Sequence, residues 1–203
     1  MDRFVLLSLL ILLGCDRPGK KTAIDKVAVE FNNLAAEQFG KGNNDSALFF
    51  IDKAVEIDSN YYLAQFQRLT ILWSLDRNEE ALETAKRISE LRNYNNVSLE
   101  GVAHEKLGNL PKARELYKWT VDGWPKSDLD SNYQSRLEYS QLGTVVYGKE
   151  FGLQELAKID TLKLNAGEIE IVETMERTIE RYEGNSYQEL MENINILPGR
   201  RGQ

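Results

Sequence analysis

The chain is expected to fold as an all-α protein, an α-solenoid of stacked helix pairs, and three observations carry that expectation. First, one pattern occurs three times. Ala47, Ile51 and Ala54 recur as Ala81, Ala85 and Ile88, and again as Ala113, Tyr117 and Thr120. Each set has the offsets 0, 4 and 7, which place its members on one face of a helix. Second, the sets lie 34 and then 32 residues apart, a period long enough for two helices and their turns. Third, no stretch shows the period-2 alternation of a half-buried strand.

The recurring helix has consistent punctuation. Gly42, Asp76 and Gly108 mark the turn before each copy. Helix starts follow at Asp45 or Ser46, at Asn78 with acidic residues in the first turn, and at Asn109 with Pro111 just inside. Ahead of each turn lies another helix, the first carrying the large-large-small set Phe31, Leu34 and Ala35. Gly101 supplies the small residue in the third copy, Leu69 replaces it in the second, and Pro125 closes the third copy.

These residues resemble the tetratricopeptide repeat family over Ala28 to about Ser127. The resemblance implies paired helices whose apolar faces are buried only by stacking, with about three pairs as a minimum. Arg68 and Glu100 depart from it, standing where a large apolar residue is expected. Gln38 and His104 stand where an aromatic is common.

Five segments follow. Residues 1–14 read as a lipoprotein signal peptide and 15–22 as a polar tether. Residues 23–127 hold the three repeats, 128–196 a helical extension with room for two degenerate repeats, and 197–203 a disordered tail. In the extension, Asp130 to Lys149 reads as one long helix with Tyr133, Leu137, Leu142 and Val145 as core candidates. Gly152 then reads as a turn before a helix carrying Leu153, Leu156, Ala157, Ile159 and Leu162. A helix from Glu168 to Tyr182 and a short last helix from Tyr187 to Ile194 complete it.

The amino terminus has its own logic. Phe4 to Leu13 is an apolar run of about ten residues, well short of the ~20 that span a bilayer. It has the length of a signal-peptide core behind Met1-Asp2-Arg3. Leu12 to Cys15, LLGC, resembles the bacterial lipobox, which implies that Cys15 is lipidated and becomes the first residue of the mature chain. The site expected is therefore the bacterial cell envelope, facing the periplasm, with inner or outer membrane open.

Composition narrows the function. The 203 residues carry 42% hydrophobic and 28% charged side chains, as folded domains do, and a net charge of −7. Phosphate contacts need a basic face, so the acidic balance disfavours broad nucleic-acid binding; the basic clusters are Arg17 to Lys21 and Arg200-Arg201, both in expected tail segments. One cysteine and one histidine, His104, exclude a disulfide within the chain and remove most zinc sites and thiol–imidazole nucleophiles. His104 reads as a packing residue. The sequence has no phosphate-binding glycine loop, nucleophile elbow or metalloprotease motif. Asn43-Asn44-Asp45 reads as a turn and cap, and Glu79-Glu80 as helix-start acids. No enzyme, metal or cofactor is expected.

In the repeat family the first helices line a concave groove that receives peptides. The positions carried over are Val29, Asn32, Ala36 and Phe39, then Leu63, Phe66, Thr70 and Trp73, then Asn95, Ser98, Val102 and Glu105. Of these, Asn32, Phe39, Phe66, Thr70, Trp73, Ser98 and Glu105 form the expected partner site, with the aromatics as anchors. The carboxylate clamp of the family's chaperone-tail receptors is not present. Asn32, Ala36, Gln67, Asn95 and Leu99 occupy its places without a cation. The function expected is a lipid-anchored envelope scaffold or adaptor for a protein or peptide partner. The alternative is an envelope lipoprotein that binds a glycan or small ligand.

Overall fold

A computed structural model describes residues 23–91, 97–184 and 186–194. The signal peptide, the tether with Cys15, and the tail lie outside the described residues. All the regular structure described is helical, in eleven α-helices and one 3-10 turn. None of these helices is long and apolar enough to cross a membrane. The chain forms two compact units, residues 1–103 and 104–203, which divide within one helix.

Unit 1 contains α1 (Lys26–Gly40), α2 (Asn44–Ile57), α3 (Tyr62–Ser74), α4 (Asn78–Leu91) and most of α5 (Val97–Lys106). These form successive helix pairs: α1 packs on α2, α3 on α4, and α2 joins the pairs by packing on α3. All nine residues of the recurring 0, 4, 7 pattern are buried in their units, none more than 1% exposed. From the first helices Ala28, Ala35, Ala64 and Leu69 join this core, each fully buried. Small side chains at crossings let helix axes approach to roughly 8–10 Å, and the apolar faces then close without voids.

Each second helix of the repeat is launched by the same turn. The amide of Asn43 donates to the Gln38 carbonyl at 3.0 Å, and that of Gly42 to the Phe39 carbonyl at 3.0 Å. Arg77 to Leu72 and Asp76 to Trp73 repeat this bond pair at 3.0 and 3.2 Å, and Asn109 to His104 and Gly108 to Glu105 repeat it at 2.8 Å each. Together they make three Schellman motifs, each using two otherwise orphaned helix carbonyls. The motif needs a left-handed residue, and Gly42, Asp76 and Gly108 have φ of 79, 54 and 77°.

Arg68 accounts for its own departure from the apolar pattern. From α3 its Nε donates to Asp52 of α2 at 2.6 Å, and its guanidinium also bonds Thr84 of α4. The side chain thus ties together three helices. Glu100 on α5 accepts a long bond from Ser89 of α4 at 3.4 Å.

Unit 2 contains the end of α5, then α6 (Leu110–Gly123), α7 (Lys126–Ser131), α8 (Tyr133–Tyr147), α9 (Lys149–Leu156), α10 (Ala166–Arg181) and α11 (Tyr187–Ile194). Its centre is α8, on which α6, α7, α9, α10 and α11 all pack. The expected Asp130–Lys149 helix is two helices. Asn132 adopts extended backbone (φ −143°, ψ 116°) and caps α8 by accepting from the Gln134 amide at 2.9 Å. The buried Arg136 then holds the break, bonding the Leu129 carbonyl at 3.1 Å, Asp130 at 2.8 Å and Glu155 of α9 at 2.9 Å.

The reading of Gly152 as a turn is corrected. It lies inside α9, and a Cβ there would collide with the Thr144 side chain and stand 3.0 Å from the Ser140 carbonyl of α8. Gly143 of α8 faces the Phe151 ring as closely. These glycines serve helix contact. The helix expected to reach Leu162 ends at Leu156, and Leu162 is 96% exposed on the 3-10 turn Thr161–Lys163. The next helix starts at Ala166, fixed by a capping box between Asn165 and Glu168.

Two substitutions test these assignments in chemical denaturation. Gly152→Ala forces α9 off α8 and is expected to destabilise the chain by about 1–3 kcal/mol. Asp76→Gly removes a left-handed penalty of ~1–2 kcal/mol and adds a smaller entropic cost, so a net gain of about 0.5 kcal/mol is expected.

Candidate functional site

The residues predicted to line the groove fall into a buried floor and an open rim. On α1, Asn32 is 5% exposed, Phe39 and Val29 are half-buried, and Ala36 is exposed. On α3, Phe66 and Thr70 are 7% and 5% exposed, Trp73 is half-buried, and Leu63 is half exposed. The two helices pack on each other within unit 1. Asn95 lies outside the described residues.

Two residues of the expected partner site, the anchor Phe66 and its neighbour Thr70, are corrected by this burial. Phe66 belongs to the hydrophobic core of unit 1 together with Leu69, Ile71 and Leu72. The Thr70 hydroxyl is committed to its own helix, donating to the Phe66 carbonyl at 3.1 Å. Neither side chain presents a surface to a partner. Ser98 on α5 is also buried, at 5% exposure, and His104 is half-buried.

Asn32 and Trp73 differ from these in a way the sequence did not signal. The Asn32 Oδ1 acceptor and the Trp73 Nε1–H donor are both buried, and neither has a hydrogen-bond partner. Only two other buried side-chain polar atoms among the described residues share that state, Asn78 Oδ1 at the start of α4 and Trp124 Nε1 at the end of α6. Leaving such a group unpaired costs roughly 1–3 kcal/mol. One unmatched acceptor and one unmatched donor therefore stand on the two helices expected to form the groove. The same two helices also carry the half-buried Phe39 and Trp73 and the exposed Leu63.

Glu105 is not open to a partner in this structure. It is 8% exposed, and unit 2 uses both its oxygens. Oε2 accepts from the Tyr117 hydroxyl at 2.7 Å and from the Tyr187 amide at 3.2 Å, while Oε1 accepts from the Gln188 amide at 2.6 Å. The two amides open α11, which comes from the far end of the chain. Burial, and then the Glu105 charge, push the Tyr117 hydroxyl far above the ordinary tyrosine range. Burial raises Tyr182 to about 12 as well. These tyrosines are neutral hydrogen-bond donors at any physiological pH.

A cleft of about 230 Å³ in unit 2 is lined by Arg114, Thr144, Val145, Lys149, Tyr182 and Glu183. Its cations are occupied: Arg114 donates to the Val146 carbonyl at 3.0 Å and Lys149 pairs with Glu183 at 2.8 Å. No group of three or more His, Cys, Asp or Glu among the described residues could hold a metal ion.

Comparison with known proteins gives sparse likenesses. No family model matches the chain. A 65-residue stretch is 35% identical to the STIP1 homolog of Dictyostelium discoideum, covering 32% of this chain and 12% of that protein. The chain thus spans about an eighth of the length of that relative. Among solved structures, MamA of Desulfovibrio magneticus RS-1 is 14% identical with a TM-score of 0.46, over 64% of this chain and 72% of MamA. YrrB, a TPR protein with an unusual peptide-binding site, is 16% identical with a TM-score of 0.46, over 85% of this chain and 88% of its own. At this identity and overlap they leave function to the chain's own residues.

The orphaned acceptor makes a stability prediction. Asn32→Ala removes the unpaired oxygen without adding volume, so the free protein is expected to lose less than the roughly 1–3 kcal/mol that deleting a paired buried polar group costs. A loss of that full size in urea unfolding would mean that Asn32 is already paired within the folded chain.

Proposed function

We propose that the chain is a lipid-anchored envelope scaffold whose unit 1 groove, between α1 and α3, binds a segment of a protein partner. The observation that carries the groove is the pair of unpartnered buried atoms, Asn32 Oδ1 and Trp73 Nε1. A polypeptide backbone supplies an N–H for the first and a C=O for the second, and few other ligands offer both at every residue. Small adjustments of the rim would expose the two atoms, with Phe39, Trp73 and Leu63 covering apolar side chains of the bound segment. The surface carries no cationic clamp, since Asn32, Ala36 and Gln67 are neutral. It suits an internal segment of mixed polar and apolar character rather than a free carboxyl terminus.

The anchor rests on Leu12 to Cys15 and the apolar run before it. Lipidation at Cys15 places the groove at the face of a bacterial membrane, where a scaffold gathers partners by raising their local concentration.

Crosslinking in native membranes followed by mass spectrometry tests the reading. Phe39→Ala combined with Trp73→Ala is expected to reduce the specific crosslinked partner at least tenfold, because interface energy concentrates on such aromatics. An unchanged crosslinking pattern would remove the groove from the proposal. Cys15→Ser is expected to move the chain from the membrane to the soluble fraction, and continued membrane attachment would remove the anchor.

A further inference from the structure

Glu105 serves as a helix cap delivered from 82 residues away. The first amides of a helix have no acceptor within it. In α11 the local residue Ser186 serves the Glu189 amide at 3.0 Å, while the amides of Tyr187 and Gln188 go to Glu105. A carboxylate facing a helix start also meets the positive end of the helix dipole. Side chains finish the recognition. The Tyr187 ring lies 5.7 Å from that of Tyr117, and its hydroxyl donates to Gln141 Oε1 of α8 at 3.1 Å. One turn on, Leu190 is fully buried, while Gln188 and Glu189 face out.

The receptor face is built from three helices, and its occupant is a short one. With eight residues, α11 is below the roughly 12–15 at which isolated helices become even marginal. Among the described residues its hold includes the Glu105 carboxylate, the Tyr117 ring, the Gln141 bond, the buried Leu190, and packing on α8 and α10. The Glu183–Ser186 connection leads into it from α10 and contains Gly184. A short segment of this kind can open locally while the rest of the fold persists. The receptor side is assembled from three helices: Glu105, Tyr117 and Gln141 stand on α5, α6 and α8 and, with α11 in place, are each at most 8% exposed.

We infer that the Glu105 cleft is a binding site for the start of an amphipathic helix, and that α11 is its resident, exchangeable ligand. A partner helix fits when it presents two free amides, an aromatic residue at its first position and an aliphatic residue three places on. This deepens the scaffold reading but stands on unit 2 alone, so it survives a failure of the unit 1 groove.

The test uses the full chain and a fluorescent peptide of its residues 184–197. Leu190→Asp expels the resident helix, and the peptide is expected to bind this variant at least tenfold more tightly than the unsubstituted chain. Adding Glu105→Ala should weaken that binding at least tenfold, whereas Leu162→Ala, on the exposed 3-10 turn, should leave it unchanged. A folded Leu190→Asp chain that binds no more tightly, or binding indifferent to Glu105→Ala, overturns the inference. A second measurement needs no substitution. Excess unlabelled peptide added to isotope-labelled chain should shift the Tyr187 and Gln188 amide resonances of the chain's own α11 toward exposed-amide positions. Unmoved resonances at saturating peptide would equally overturn it.

Discussion

Everything in the two units depends on how closely neighbouring helices approach, and small side chains set that distance. In unit 1 the crossings are made by alanine: Ala28, Ala35, Ala47, Ala54, Ala64, Ala81 and Ala85 are all fully buried. An added methylene at such a crossing either forces neighbours off their rotamers or pushes the helices apart. The cost would spread, because the Schellman turns at Gly42 and Asp76 join helices at a spacing that alanine permits. Unit 2 meets the same constraint with glycine, at Gly143 and Gly152, so α8 and α9 touch nearly backbone to backbone. That closeness lets α8 serve as a hub with five helices around it.

Inside that frame the buried polar groups divide into two kinds. Arg68, Arg136 and Glu105 are all paired, and each joins elements that are distant in sequence. Such groups add modestly to net stability, since desolvation offsets much of their attraction, but removing one partner is severe. They fix which helices meet. Asn32 and Trp73 are the other kind, buried on one side and unmatched. A fold that pairs a guanidinium with partners on two other helices has the means to pair an amide. The groove helices thus carry two such atoms, on Asn32 and Trp73, and the same state recurs at Asn78 and Trp124.

Much of the fold was legible in the sequence because its rules are local. The 0, 4, 7 spacing reports a helix face directly, and all nine residues chosen on it are buried. Gly42, Asp76 and Gly108 announce left-handed turns by composition. The site was less legible. A family alignment states which face of a helix a residue occupies, but depth depends on the neighbours that cover it. Phe66 and Thr70 are on the expected helix and sink into the core, while Phe39 and Trp73 remain at the rim. Gly152 misled because glycine serves turns and close contacts alike, and only the Thr144 side chain opposite tells them apart. The break at Asn132 depends on Arg136 reaching back to Leu129 and forward to Glu155, which no window of residues displays.

Glu105 is the sharpest case. On α5 it has the spacing of a groove residue, and nothing within reach of it in sequence speaks for α11. Yet the pairing has a selectivity that follows from the carboxylate itself. Two acceptor oxygens buried beside a neutral tyrosine require donors, and one hydroxyl cannot serve both. A strand edge offers its N–H groups alternately and points every second one away. A helix start offers consecutive N–H groups on one side, all free, with a dipole that favours the anion. A ligand that displaced α11 without bringing such donors would leave the charge buried and unmatched, at a cost of several kcal/mol. The cleft thus discriminates by the penalty it imposes as much as by the contacts it offers, and α11 satisfies it until a helix of matching pattern arrives.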